Sequence, residues 1–351
     1  MKQHSLFLCA LALLAAAMVS CSDPEEEPRP MPVTSHSDTP RYLAAAAGKI
    51  FVSCYNPPSV VRIDTATMQV DAVCPLGDYQ PEGIAVAQGK LFISSSWIYN
   101  ENGSVLYDNR LYVVDLSSFQ VSSILGIGCN PDRMVAVGND YIVVSCIGNY
   151  ADEAASTYVV DAGTLTVRRS DVALTSFCTD GRHVYAYTSP SYGSTDVTFL
   201  CFDPVTLASD TLHLGSDLRN PYGIDVIDGD IYVATATYDA TGDIYRFSAD
   251  GQLRWHSEAG VFTSKTVALG DGTAYILNQG NWGSNNASLG RVNLATGTVD
   301  NYVFDQANHR GLGDVAQDII VYGSRAYVSV TFSNSIEVVD PSDNTSTRLA
   351  L

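Results

Sequence analysis

The groups able to carry acid–base, nucleophilic or metal chemistry are few in this chain and poorly clustered. Past the leader, histidine stands only at 36, 183, 213, 256 and 309. Only His309, beside Arg310, falls in a long loop, and a lone imidazole makes no triad. The chain has no H-x-x-x-H pair, no serine elbow and no glycine loop able to cradle a phosphate. Its cysteines show neither the C-x-x-C nor the Cys/His spacing of a zinc or redox site. Glu82 has two readings: with loop Asn and Asp residues it could hold Ca²⁺, or it could neutralise a nearby Arg.

What the chain offers instead is aromatic rings beside amides, gathered in its longest polar stretches. Tyr55, Tyr79, Trp97, Tyr99, Tyr150, Tyr192, Tyr238, Trp282 and Phe332 are interspersed with Asn56, Asn100, Asn102, Asn149, Asn281, Asn285, Asn286 and Asn334. Glu82, Arg133, Tyr222, Lys265 and Arg310 stand close by in sequence. Flat rings supply contact area and fixed amides orient polar groups, which suits capture of a bulky, polar, mostly uncharged ligand. The competing reading is that several of these rings cap the core or pack inside it. Trp97 and Trp282, each in a polar setting, are expected to face solvent.

Those stretches are held by a repeat. LYVVDLSSFQV at 111–121 returns as VVRIDTATMQV (60–70), TYVVDAGTLTV (157–167), FLCFDPVTLAS (199–209), IYRFSADGQL (244–253), GRVNLATGTV (290–299) and IEVVDPSDNTS (336–346). A β-branched and aromatic run reads as a strand, and an Asp caps the backbone N–H groups of the turn after it. Ser248 and Asn293 replace the Asp at two of the sites. A second phrase (KIFVSC, KLFISS, YIVVSC, HVYAYT, DIYVAT, TAYILN, RAYVSV) precedes each copy, and PEGIAVAQG, PDRMVAVGN and PYGIDVIDG precede that phrase in turn.

Matching positions fall at Phe51, Phe92, Val143, Tyr185, Tyr232, Tyr275 and Tyr327. Four short strands recurring with a period in the forties predict an all-β fold, a seven-bladed β-propeller of four-stranded antiparallel blades. Strands run from inner to outer in each blade, so the second-to-third-strand loops and the blade-to-blade loops share one face. These loops vary, and function is expected there. They include 96–109 and 308–313.

Residues 1–20 read as a signal peptide: Lys2, then the apolar run 6–17, too short to span a bilayer. Met18-Val19-Ser20-Cys21 resembles a lipobox, making Cys21 the expected lipidation site. Residues 21–40, rich in Pro and Glu, read as a disordered acidic tether, and 41–351 as the propeller. With 19 Lys and Arg against 38 Asp and Glu, a net charge of −19, the chain lacks the basic footprint that nucleic acid requires. Cys129 and Cys146 lie at neighbouring strand ends, and a disulfide between them is expected in an exported compartment.

The repeated I-Y-V…D-x-x-T pattern with its P-E-G-I-A-V and N-P-Y-G-I-D-V strand starts resembles the YncE-like seven-bladed propellers over about 41–351. Joined to Met18–Cys21 and the acidic run 23–27, it looks like the surface-lipoprotein branch of Bacteroidetes that includes the BtuG-type proteins. That resemblance implies a monomeric lipoprotein on the outer face of the outer membrane. It would bind cobalamin, a corrinoid, as ligand rather than cofactor, and pass it to a TonB-dependent outer-membrane transporter without catalysis. The ligand-binding set expected is Tyr55, Glu82, Trp97, Tyr99, Arg133, Asn149, Tyr150, Tyr192, Tyr222, Tyr238, Asn281, Trp282, Arg310 and Phe332. Rival readings are a Ca²⁺-dependent lactonase-like hydrolase centred on Glu82 and a protein- or glycan-binding scaffold.

Overall fold

Every second phrase folds as a strand buried on both faces, which is why it reads as a continuous apolar run rather than an alternating one. In Lys49–Asn56, Ile50, Val52 and Cys54 enter one core while Phe51 enters the next. The computed structural model describes residues 38–351 apart from Tyr192, Ser216, Asp217 and Asp239. The expected signal peptide, Cys21 and all but the end of the expected tether lie outside the described residues. The first strand begins at Asp38 rather than beyond Arg41, because Asp38 pairs across to Asn56 and the Pro40 carbonyl accepts a bond from Thr331 Oγ1.

The described residues form 28 strands, β1 to β28 in chain order, four to a blade in seven antiparallel sheets. The first strands of the blades are β1 (Asp38–Ala46), β5 (Pro81–Ala87), β9 (Pro131–Val137), β13 (Ser176–Thr179), β17 (Pro221–Ile227), β21 (Thr263–Ala268) and β25 (Ala316–Tyr322). Each touches the first strand of the next blade, and β25 touches β1, so they form a closed inner ring. Between neighbouring blades lies an apolar core, such as Phe51, Leu76, Leu91, Ile93 and Tyr112 between blades 1 and 2. Burial of that surface is the main force holding blade to blade.

Closure needs no shared strand. Blade 7 is complete with β28 (Ser346–Ala350), and blade 1 with β4 (Gln69–Pro75). The seam is made by Leu43, Ile50 and Ile63 against Tyr327, Ile336, Val338 and Leu351. Leu43 N–H donates to Asp318 Oδ2 at 3.0 Å, and Gly48 N–H to Tyr322 Oη at 2.8 Å.

The turns differ by end. First-to-second-strand hairpins such as Ala47-Gly48 and Asp228-Gly229 put both central residues at positive φ, the geometry that suits the twist of paired strands. Third-to-fourth-strand turns are fixed by the repeated Asp. Two departures from the sequence reading explain the long spacings between blades. The polar stretch 96–109 is mostly strand: β6 (Lys90–Tyr99) and β7 (Val105–Asp115) extend past the blade, pairing Trp97 with Tyr107 and Tyr99 with Val105, and leave only 100–104 as loop. The runs of aromatic and β-branched residues in SWIY and VLY favour that extension and supply its cross-strand pairs. Before blade 7 the loop contains a short helix, α1 (Val303–Asn308), which buries Val303 and Phe304.

Candidate functional site

A repeated irregularity builds the channel mouth. In blades 1, 2, 3, 5, 6 and 7 the first strand slips by one residue against the second just after it begins, whereas blade 4 runs without a slip. A bulge bends its strand and re-aims the side chains beside it. The residues at or beside these slips include Arg41 and Tyr42, Glu82, Asp132 and Arg133, Tyr222, Lys265, Gln317 and Asp318.

These side chains link across five blades. Tyr222 Oη donates to Gln279 Oε1 (3.0 Å), Gln279 Nε2 to Gln317 Oε1 (3.2 Å) and Gln317 Nε2 to Tyr42 Oη (3.1 Å). Arg41 Nη1 donates to the same Gln317 oxygen (2.7 Å), while Nε and Nη2 grip the Glu82 carboxylate at 3.0 and 3.3 Å. The Tyr55 hydroxyl donates to Glu82 Oε1, and the Arg41 guanidinium lies 4.8 Å from the Tyr55 ring centre. Both oxygens of buried Glu82 are thus engaged, by Arg41 and Tyr55. Among the described residues no three His, Cys, Asp or Glu converge to hold a metal ion.

Below the mouth is a cavity of about 370 Å³, lined by residues that include Arg133, Ser176, Tyr222, Asp225, Lys265, Gln279, Gln317 and Asp318. Lys265 Nζ sits 2.6 Å from Asp318 Oδ1. Asp225 Oδ2 accepts the Thr266 N–H at 2.7 Å. Burial, with Glu82 nearby, pushes the Asp132 carboxyl up to about 6, and burial pushes Asp225 up to about 6 as well. Burial opposes the charges on Arg41 and Lys265. The facing carboxylates, Glu82 for Arg41 and Asp318 for Lys265, outweigh it, so both cations are held more firmly than in water. Burial also raises the Tyr42 and Tyr55 phenols, which therefore stay protonated.

Around the mouth stand the aromatics. Tyr55, Trp97 and Tyr99 form a chain of edge contacts, with ring centres 6.3 and 5.1 Å apart. Tyr107 lies 6.2 Å from Tyr150, which is 77 % exposed. Trp282 stacks on Phe332 at 5.6 Å, both rings open to solvent. Tyr238 is exposed, without a ring partner among the described residues.

Tyr55, Glu82, Trp97, Tyr99, Arg133 and Tyr222 fall on or beside the channel mouth, and Trp282 with Phe332 makes a separate platform. Asn149 is occupied locally: its Oδ1 accepts the Ala151 and Glu153 N–H groups, and its Nδ2 reaches Asp152. The Asn281 N–H donates to Asn286 Oδ1, and the Asn281 side-chain oxygen is buried without a partner among the described residues. Arg310 stands apart from the channel group, on buried Glu337 at 2.7 Å and over Phe304. Tyr192 lies outside the described residues. Cys129 and Cys146 carry separate thiols rather than the expected disulfide. Cys146 registers opposite Pro131, while the Cys129 carbonyl faces the Gly148 N–H, so the two are out of step. Sequence reading missed Arg41, Tyr42, Tyr107, Gln279 and Gln317. The positions just after the Pro or Ala at each slip would have pointed to Arg41, Tyr42 and Gln317.

No family model matches the chain, and no curated protein matches it. Solved structures do. A hydrazine synthase structure from Kuenenia stuttgartiensis aligns at a TM-score of 0.62 with 14 % identity, over 91 % of this chain and 100 % of that one. BamB from Moraxella catarrhalis aligns at 0.53 with 12 % identity, over 88 % and 87 %. The β-propeller domain of Cps50 (Swd1) from Myceliophteria thermophila aligns at 0.58 with 10 % identity, over 90 % and 98 %. The likeness is one of fold. A β-propeller of this kind is a scaffold suited to binding a ligand or a protein.

Proposed function

We propose that the protein is a non-catalytic capture propeller that takes a bulky polar ligand at its channel mouth. The observation that carries this reading is the joining of half-buried and exposed rings to a fixed polar belt: Tyr55 and Trp97, half-buried, and exposed Tyr99 border the Arg41–Glu82–Gln317–Gln279–Tyr222 network. Rings held in contact with one another lose little freedom on binding, and a belt already bonded keeps its donors oriented. The first-choice ligand is a cobalamin, whose large, flat-sided, amide-fringed body matches rings and amides. Residues 18–21 and the acidic run after them support a lipid-anchored protein on the outer-membrane surface. There it would serve a TonB-dependent transporter.

The test is direct. The mature protein is mixed with cyanocobalamin and desalted: a binder elutes red, and a colourless protein removes the corrinoid. Replacing Trp97 or Trp282 by Ala should weaken binding by about tenfold, the usual scale for an aromatic anchor. Unchanged affinity in both variants would remove the mouth as the site.

A further inference from the structure

Three cations reach the channel, and two are matched. Arg41 is clasped by Glu82, and Lys265 sits on Asp318. Arg133 differs. Among the described residues its nearest carboxylate oxygen, on Asp132, is 4.0 Å from Nε, the outer limit of an ion pair. Nη1 donates to Ser176 Oγ at 3.0 Å, and the guanidinium lies 5.4 Å from the Tyr222 ring centre. A guanidinium presents five N–H donors in a planar fork that matches two oxygens of one anion. Here that fork lines the cavity of about 370 Å³ and is held in place by Ser176 and Tyr222. The side chain keeps 25 % of its surface open, and an oxyanion entering the cavity would give this guanidinium the close two-oxygen partner that Asp132, at 4.0 Å, does not.

We infer that Arg133 anchors an oxyanion subsite in the channel, taking a carboxylate, phosphate or sulfate group of a ligand whose bulk rests on the aromatic mouth. The inference rests on the reading of the mouth as a binding face but not on the corrinoid. The groups facing Arg133 set its pH dependence. Asp132 stands beside it on the same strand, Tyr42 on blade 1, Tyr187 on blade 4, and Tyr222 with Asp225 on blade 5; Lys265, with Asp318, lies on the next two blades. Burial raises the Tyr42 and Tyr187 phenols, so both stay neutral in this range. The two aspartates oppose an anion when ionised. Each titrates at about 6, so that opposition fades in mild acid.

The probe is inorganic sulfate, whose charge is constant across this range. Isotope-labelled mature protein is titrated with sodium sulfate at fixed ionic strength, and the arginine side-chain N–H resonances are followed. The expected result is a saturable shift of the Arg133 signal at pH 5.5, weaker by about threefold or more at pH 7.5 as the aspartates ionise. Arg133→Gln should abolish saturation. Arg133→Lys keeps the charge but not the fork and should weaken sulfate by about tenfold. A shift that never saturates, sulfate affinity rising with pH, or undiminished affinity in either variant would overturn the inference. If Arg133→Gln does not fold, Arg133→Lys decides alone. A protein that stays colourless after cyanocobalamin yet binds sulfate at Arg133 would remove the corrinoid and keep the subsite. One that turns red with no Arg133 response to sulfate would do the reverse.

Discussion

The two ends of this propeller are built on opposite rules. At the third-to-fourth-strand turns the same device recurs. Asp64, Asp115, Asp161, Asp203 and Asn293 each accept the backbone N–H groups two and three residues on, at 2.7–3.4 Å. The residue after that, Met68, Phe119, Leu165, Leu207 or Gly297, takes a positive φ and donates its N–H back to the Asp or Asn carbonyl. At the channel mouth no two blades present the same side chains. Arg41, Glu82, Asp132, Tyr222 and Gln317 occupy equivalent starts, and all but Asp132 bond to a side chain of a neighbouring blade. Repetition marks where the backbone needs one solution many times. Variation marks where side chains answer to each other and to something from outside.

The largest expected effects come from breaking the mouth. Gly83 and Gly223 hold the position that Tyr42 and Arg133 hold in blades 1 and 3. At both glycines the next blade's backbone is too close for a side chain: an added Cβ would lie 2.3 Å from the Asp132 carbonyl oxygen and 2.1 Å from that of Ser264. Gly223→Ala should therefore cost about 2–3 kcal/mol in urea unfolding, since backbone must move to admit it. A Gly223→Ala protein as stable as wild type would mean that the inner ring is looser than these distances say. Glu82→Ala comes next in directness, because it strips Arg41 and Tyr55 of a shared acceptor. A loss of about 3 kcal/mol is expected. In a double-mutant cycle, Arg41→Ala should restore part of it, and strict additivity of the two losses would break the argument.

Much of the fold was legible because propeller strands are paid twice in contacts: both faces meet another blade, so VVRID, YVVD and IEVVD carry their burial in the sequence itself. The Asp turn was legible because its hydrogen bonds are local. The mouth was only half legible. Glu82, Arg133 and Tyr222 stood out by type, but their partners Gln279 and Gln317 are far away in sequence, and nothing local couples them. Trp97 was misplaced into a loop because Asn100 to Ser104 looked like the middle of a long polar stretch, whereas cross-strand pairing with Tyr107 carries the strand past it. The disulfide failed for the same reason: adjacency of strand ends does not fix register, and the slip at Cys146 is invisible without the pairing.

The two ends should also titrate with opposite sign. Asp132, raised to about 6 by burial, binds its proton more tightly folded than unfolded, so its ionisation weakens the fold as pH climbs from about 4 through 6. Asp132→Asn should stabilise the protein at pH 8 by on the order of 1–2 kcal/mol, with the gain fading toward pH 4. A gain that persists at pH 4 would assign the effect to packing rather than to charge.

Asp115 runs the other way and should give the smallest effect. Hydrogen bonds from the Ser117 hydroxyl and the Ser118 N–H, with further donors from the same two residues, lower its carboxyl to about 2. Its contribution is then fully present above the unfolded value near 4 and is lost as pH falls through about 2. Asp115→Ala should lower the unfolding midpoint modestly at pH 7, and the two proteins should converge in acid unfolding near pH 2. Asp115→Asn separates charge from geometry, since Asn293 already makes the same pair of bonds in blade 6 at 3.0 Å each. If Asn at 115 matches wild type at pH 7, the turn needs an acceptor oxygen and not a charge. A loss as large as that of Ala would instead make the carboxylate itself the reason that Asp predominates at this turn.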